Sequence, residues 1–389
     1  MKHPLSKTFL SICALCFAFP VFADLNGLEG LRAVPIMESD SMPKPIMGVG
    51  VGRDGTVYVT ETIRQQREEI SLIQSPFLHP HCMALDTTEA KRKWILENYA
   101  SNVIGRQGVK DYNGDGKVDV QDLSVRSEKI YTLQDSDGDG VYDKATLFAQ
   151  GFNDLLTGCA HSVAPIGDHV YATIIPDLWK LTDSDGDGVV DRRESLAHGF
   201  APHIGYGNHD LHSILQGYDG KLYWSMGDRG ANVLTKEGKR VSNPHSGCIL
   251  RCNSDGTEFE VFAHGLRNCQ YFDFDNYGNL FAVDHDADFQ GERERLVYLP
   301  EGSDSGWRMY YQYRNTTLVR ASRENLYNPW LAEKMWIPFH AGQPSHILPA
   351  IENSWNAPAS FSFQPGTALG GAYKDHFLLG CKGNIRAFK

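Results

Sequence analysis

Three stretches of the chain space oxygen ligands as calcium loops do, with Asp or Asn at positions 1, 3 and 5 and Gly at position 6 for the sharp turn. The first is Asp111, Asn113, Asp115, Gly116, Asp119 and, at position 12, Asp122. The second is Asp135, Asp137, Asp139, Gly140 and Asp143, with Thr146 at position 12. The third, Asp183, Asp185, Asp187, Gly188, Asp191 and Glu194, has the most complete ligand set. Carboxylates this dense repel one another unless a cation or a network of turn hydrogen bonds offsets them. The spacing therefore predicts three calcium sites, and the alternative for each is an Asp-Gly hairpin turn without an ion.

A second group of residues suits proton transfer. An imidazole titrates near neutrality and can take a hydroxyl proton, and His209 is the candidate for that role. The guanidinium of Arg267, followed by Asn268, suits a developing oxyanion or a carboxylate-bearing ligand. The plainer alternatives are a satisfied loop histidine and a pair that caps a turn between elements. His203, His209 and His212 could instead gather around a transition metal. The run Asp284-His285-Asp286-Ala287-Asp288 is a weaker candidate for a cation or substrate contact. Trp307, Tyr310, Tyr311 and Tyr313 could stack a sugar ring, although such residues more often pack between elements.

Short strands must position these groups. Leu181-Thr182 before the third loop, and Glu194 to Phe200 after it, alternate as strands around a hairpin, so helix-loop-helix modules are not expected. The same frame occurs 48 residues earlier, from Leu133 through Asp135 and Asp143 to Phe152, which is the size of one four-stranded propeller blade. A turn with glycine, then an alternating strand, recurs at Gly55, Gly167, Gly220 and Gly278, and each such strand is expected to be an inner blade strand. The step from Gly55 to Gly167 is too long for one blade. Residues 62–124, holding a helical stretch over Thr87–Ala100 and the first calcium loop, are expected as an insertion in the first blade. Phe361 to Lys389 begins another blade, with His376 to Cys381 as its inner strand, and then the chain stops. The fold expected is all-β, a six-bladed β-propeller over 24–389 whose last blade is missing, because propellers close by pairing their last blade with the first.

The segment Asn208-His209-Asp210-Leu211-His212 through Asp219-Gly220-Lys221-Leu222-Tyr223, then Gly227-Asp228 and Gly265-Leu266-Arg267-Asn268-Cys269-Gln270, resembles the glucose/sorbosone dehydrogenase type of six-bladed propeller. It is most similar to the membrane-bound dehydrogenase proteins abundant in planctomycetes and related bacteria. The resemblance runs from about residue 45 to the end. It implies that His209 is the general base that takes a substrate hydroxyl proton while hydride passes to pyrroloquinoline quinone. It also implies that Arg267 and Asn268 touch the quinone, and that Lys382 binds it if one residue is deleted in the alignment. Where the family has Gly-Gly after the base, this chain has Leu211-His212.

Met1 to Ala23 reads as a secretory leader, with Lys2 and Lys7 ahead of an apolar run and Val21-Phe22-Ala23 as the cleavage pattern. A periplasmic or secreted protein is expected. Six cysteines then remain, and an oxidising compartment permits disulfides among them, except between Cys248 and Cys252, which lie too far apart along one strand. No CxxCH motif is present, and no apolar run after the leader is long enough to span a membrane. The net charge of −11, from 48 acidic and 37 basic residues, excludes a nucleic-acid binder driven by phosphate contacts. The calcium loops alone account for most of it.

The function expected is a calcium-binding, quinone-dependent dehydrogenase of a sugar or alcohol, with cytochrome c as a candidate electron acceptor. The alternatives are a non-enzymatic ligand-binding or scaffold propeller, and a calcium-dependent lactonase-like hydrolase.

Overall fold

The computed structural model describes residues 28, 36–37, 42–64, 69–72, 78–99, 108–285, 291–313, 328–344, 347–354, 357–366, 369, 371–381 and 384–389. The leader and Lys382 lie outside them. Within them the chain is an all-β propeller built from antiparallel sheets that follow one another along the sequence.

The first blade is β1 (Ile46–Val51), β2 (Val57–Glu61), β3 (Glu128–Gln134) and β4 (Lys144–Phe152). The second is β5 (Ala160–Ile166), β6 (His169–Ile174), β7 (Asp177–Thr182) and β8 (Arg192–His198). In the third, β9 (Leu211–Gln216) and β10 (Leu222–Met226) pair with β13 (Gly247–Cys252) and β14 (Glu260–Leu266). A separate hairpin, β11 (Ala231–Leu234) with β12 (Arg240–Asn243), interrupts that blade. The fourth is β15 (Cys269–Phe274), β16 (Leu280–Asp284), β17 (Glu294–Tyr298) and β18 (Glu352–Ser354). The last is a three-stranded sheet of β19 (Pro358–Gln364), β20 (His376–Cys381) and β21 (Asn384–Phe388).

Two expectations are corrected here. The described chain forms five blades rather than six. The strands after the glycine turns, β2, β6, β10 and β16, are second from the centre, and so is β20. The innermost strands are β1, β5, β9, β15 and β19, which pack against one another and line a channel cavity through Ile46, His161, His212, Gln270 and Ala359. These strands carry polar side chains toward the channel, so they lack the clean apolar alternation that marks their neighbours.

Close packing of the inner strands depends on missing side chains. A Cβ at Gly48 of β1 would lie 2.2 Å from the carbonyl oxygen of His161 in β5, and one at Gly50 would lie 2.2 Å from that of Val163. Outside the channel, apolar faces of adjacent blades interlock. One cluster joins Ile175, Leu178 and Phe200 to Leu222, Trp224 and Leu250 across the second and third blades. Another joins Ile249 and Leu266 to Phe272 and Val297 across the third and fourth.

Residues 62–127 separate β2 from β3. A helix, Thr88–Asn98, begins where the Thr87 hydroxyl accepts the Ala90 N–H at 3.0 Å, and its buried Ile95 packs with Leu72, Leu123 and Leu156. Among the described residues no helix is long and apolar enough to cross a membrane.

Candidate functional site

Hairpin geometry brings a base and a carboxylate together at one end of the third blade. His209 lies just before β9 and Asp228 just after β10, and those strands pair from Leu211↔Met226 onward. The Gly227 N–H donates to the Asp210 carbonyl at 2.9 Å, and a Cβ on Gly227 would meet the His209 backbone at 2.6 Å. The two side chains therefore face each other, with His209 Nδ1 at 2.7 Å from Asp228 Oδ1. Asp228 Oδ2 accepts the indole N–H of Trp307 at 2.9 Å. Burial alone would raise the Asp228 carboxyl, but His209, their hydrogen bond, Arg267 and Trp307 outweigh it and hold the group below its ordinary value. An ionised Asp228 fixes the proton of His209 on Nδ1 and leaves Nε2 as the acceptor.

Arg267 and Asn268 occupy the crossover from β14 to β15. Both of their backbone N–H groups donate to the Asp284 carboxylate, at 2.9 to 3.1 Å, and buried Arg295 donates to its second oxygen at 2.6 Å. The Arg267 guanidinium lies over the Trp307 ring, 5.7 Å from its centroid, and donates to the His285 carbonyl at 3.0 Å. Asn268 Oδ1 accepts from His212 Nε2 at 2.7 Å while its amide nitrogen donates to the Asn208 carbonyl. Burial pushes His212 well below its ordinary value, so the ring is neutral. Base, cation and amide thus belong to one connected group of contacts.

A layer of buried charge lies one residue beyond the base. Asp210 accepts from Arg229, which also reaches Glu69 at 3.3 Å, and Lys91 donates to the Ala201 carbonyl at 3.0 Å. Burial and the nearby Arg229 charge push Lys91 down to about 7. The sequence singled out Trp307 as a ring-stacking candidate, Asp284 as a cation or substrate contact and Asp228 only within the Gly227-Asp228 phrase, and it identified neither their contacts here nor Arg295 nor this layer.

The remaining candidates separate. His203 Nδ1 bonds to the Cys82 carbonyl at 2.8 Å and its ring stacks on His245, so His203, His209 and His212 do not converge on one ion. Of the Asp284 run, residues 286–288 lie outside the described residues. Trp307 and Tyr311 are buried packing residues, whereas Tyr310 is partly exposed. All six cysteines after residue 23 are free thiols.

The second and third acidic loops are the β3–β4 and β7–β8 hairpins, at equivalent places in consecutive blades. Asp135, Asp137 and Asp139 converge in one, and Asp183, Asp185 and Asp191 in the other, each with ligand oxygens within 4.8 Å. In both, the first Asp accepts two glycine N–H groups, as in Asp183 with Gly186 and Gly188 at 2.8 and 2.9 Å. Asp143 and Asp187 each accept a loop N–H. At position 12 of the third loop, Glu194 lies in β8 and accepts from Lys236 Nζ at 2.9 Å. In the first loop Asp111 accepts from Gly114 and Gly116, Asn113 from Asp115, Asp115 from Lys117 and Asp119 from Gln121. Asp122, at position 12, is taken up by the N–H groups of Tyr112, Asn113 and Asp119.

Residues 107–384 match the model of a domain of unknown function, DUF7133. No curated protein matches the chain. Similar solved structures include the PQQ-bound aldose sugar dehydrogenase of Streptomyces coelicolor, at 14% identity over 91% of this chain and 83% of that one, with a TM-score of 0.49. The PQQ domain of Coprinopsis cinerea pyranose dehydrogenase is 10% identical over 91% of this chain and 74% of that one, with a TM-score of 0.44. The soluble aldose sugar dehydrogenase of Escherichia coli is 11% identical over 67% and 79%, with a TM-score of 0.44.

Proposed function

We propose that this chain, which belongs to the DUF7133 family, is a propeller oxidoreductase that removes a proton and a hydride from a sugar or related alcohol. The observation that carries the reading is the His209–Asp228 pair at 2.7 Å, a base already oriented by a buried carboxylate. His209 Nε2 takes the hydroxyl proton, and Asp228 stabilises the imidazolium that forms. Arg267, fixed by Asp284 through its backbone and by Trp307 through its ring, supplies positive charge beside the alkoxide as it develops.

A carboxylate-bearing quinone such as pyrroloquinoline quinone fits the donor set, which combines a fixed guanidinium, the Asn268 amide and the base in one cluster. Arg267 and Asn268 would hold it, with Lys382 as a further candidate, and when bound it supplies the two-electron acceptor. Calcium in the acidic hairpins and export by the leader, each supported by the sequence features that suggested it, complete the proposal, with a cytochrome c as the candidate onward electron acceptor.

The test is dye-linked oxidation across a panel of aldoses and alcohols, using protein supplied with pyrroloquinoline quinone and calcium. Turnover that His209→Ala lowers by about 100-fold or more supports the reading. Absence of turnover on every substrate, with ligand affinity unchanged in the variant, would favour a binding propeller instead.

A further inference from the structure

A thiol, an imidazole and a carboxylate meet beside the channel without serving the base. Cys159 lies just before β5, His161 is its second residue, and Asp210 precedes β9 in the next blade. One ligand atom from each lies within 4.8 Å of the others, and all three residues are buried. The Nε2 atom of His161 is itself buried and has no hydrogen-bond partner among the described residues. In the tautomer with its proton on Nδ1, this nitrogen offers a lone pair beside the thiol and the carboxylate.

The surroundings are organised as a second shell would be. Asp210 is fixed from behind by Arg229 through one oxygen, and its other oxygen accepts the Cys159 N–H at 3.1 Å. Gly158 permits that approach, since a Cβ there would lie 2.3 Å from Asp210 Oδ2. His161 packs edge-on against His212 at 4.0 Å between ring centroids, and both line the channel cavity of about 30 Å³. That volume takes about two waters, and His161 is the one of the three groups that lines it.

We propose that Cys159, His161 and Asp210 bind a borderline divalent transition metal, Zn²⁺ in type, with a fourth position facing the channel. Sulfur and nitrogen donors select such an ion over calcium, which takes oxygen ligands only. The thiolate and carboxylate balance its charge, while Arg229 remains paired with Glu69. The thiol proton leaves to solvent on binding. The site is independent of the redox reading and stands if that reading fails.

The experiment is a Co²⁺ titration of metal-depleted full-length protein, with excess calcium present to occupy oxygen-only sites. One equivalent should produce tetrahedral visible bands and a thiolate-to-cobalt charge-transfer band, both displaced by Zn²⁺. Cys159→Ser should abolish the charge-transfer band, and His161→Gln should weaken cobalt binding about tenfold or more. The proposal is overturned if wild-type protein shows no charge-transfer band, a measurement that needs no variant to fold. Persistence of the band in Cys159→Ser, or unchanged cobalt affinity in His161→Gln, would overturn it equally.

Discussion

The carboxylate of Asp228 is divided between an imidazole and an indole, and that division gives His209 its direction. Replacing it with Asn keeps the shape but removes the charge that stabilises a protonated ring. Asp228→Asn should lower kcat by about 100-fold or more with a smaller change in KM, read by steady-state kinetics on any substrate that turns over. Stability supplies a second readout. Because the folded carboxyl sits below its unfolded value, its contribution is present above about pH 4 and is lost as pH falls through the folded value. The stability gap between wild type and variant should therefore be constant near neutrality and close in acid. His209 and Arg267 were legible from the sequence because of their side-chain chemistry and because they fall in the segments that carry the family resemblance. The contacts of Asp228, Trp307 and Asp284 were not, since their partners lie 19, 79 and 17 residues away and only strand pairing or a neighbouring blade unites them.

At the level of elements, the acidic hairpins were legible because an Asp-Gly frame and two flanking strands recur at a fixed interval. The channel strands were misassigned for a physical reason: they interleave polar residues such as His161, Ser162, His212 and Ser213 with apolar ones, so the apolar period was stronger one strand farther out. What glycine does in those inner strands was equally hidden. Gly48→Ala forces a methyl group into the His161 carbonyl of the neighbouring blade, where only backbone can give way. Denaturant unfolding should show a loss of roughly 1–3 kcal/mol, as for other overpacked interiors. An unchanged midpoint would mean that β1 and β5 are not in that register.

For the whole molecule, the blade period could be read from the chain but the number of blades could not, since each blade contacts only its neighbours and no local signal records the total. Two hairpins with converging carboxylates sit in consecutive blades, and Val190 of the second donates its N–H to Phe148 of the first at 3.0 Å. If both loops hold calcium, adding it at about 100 times its Kd should stabilise the fold by about 2.7 kcal/mol per site, and excess EDTA should lower Tm. Identical melting curves with calcium and with EDTA would remove calcium from the proposal. The excursion between β2 and β3 bears on a different property, the order of assembly. In the second blade only Ile175 and Pro176 separate β6 from β7, so that hairpin can form as it is synthesised. In the first blade the same pairing must wait for residues 62–127, a closure that costs roughly 3 kcal/mol more chain entropy. The blade nearest the N-terminus is therefore expected to complete its sheet late relative to its position, with the second blade able to serve as its template.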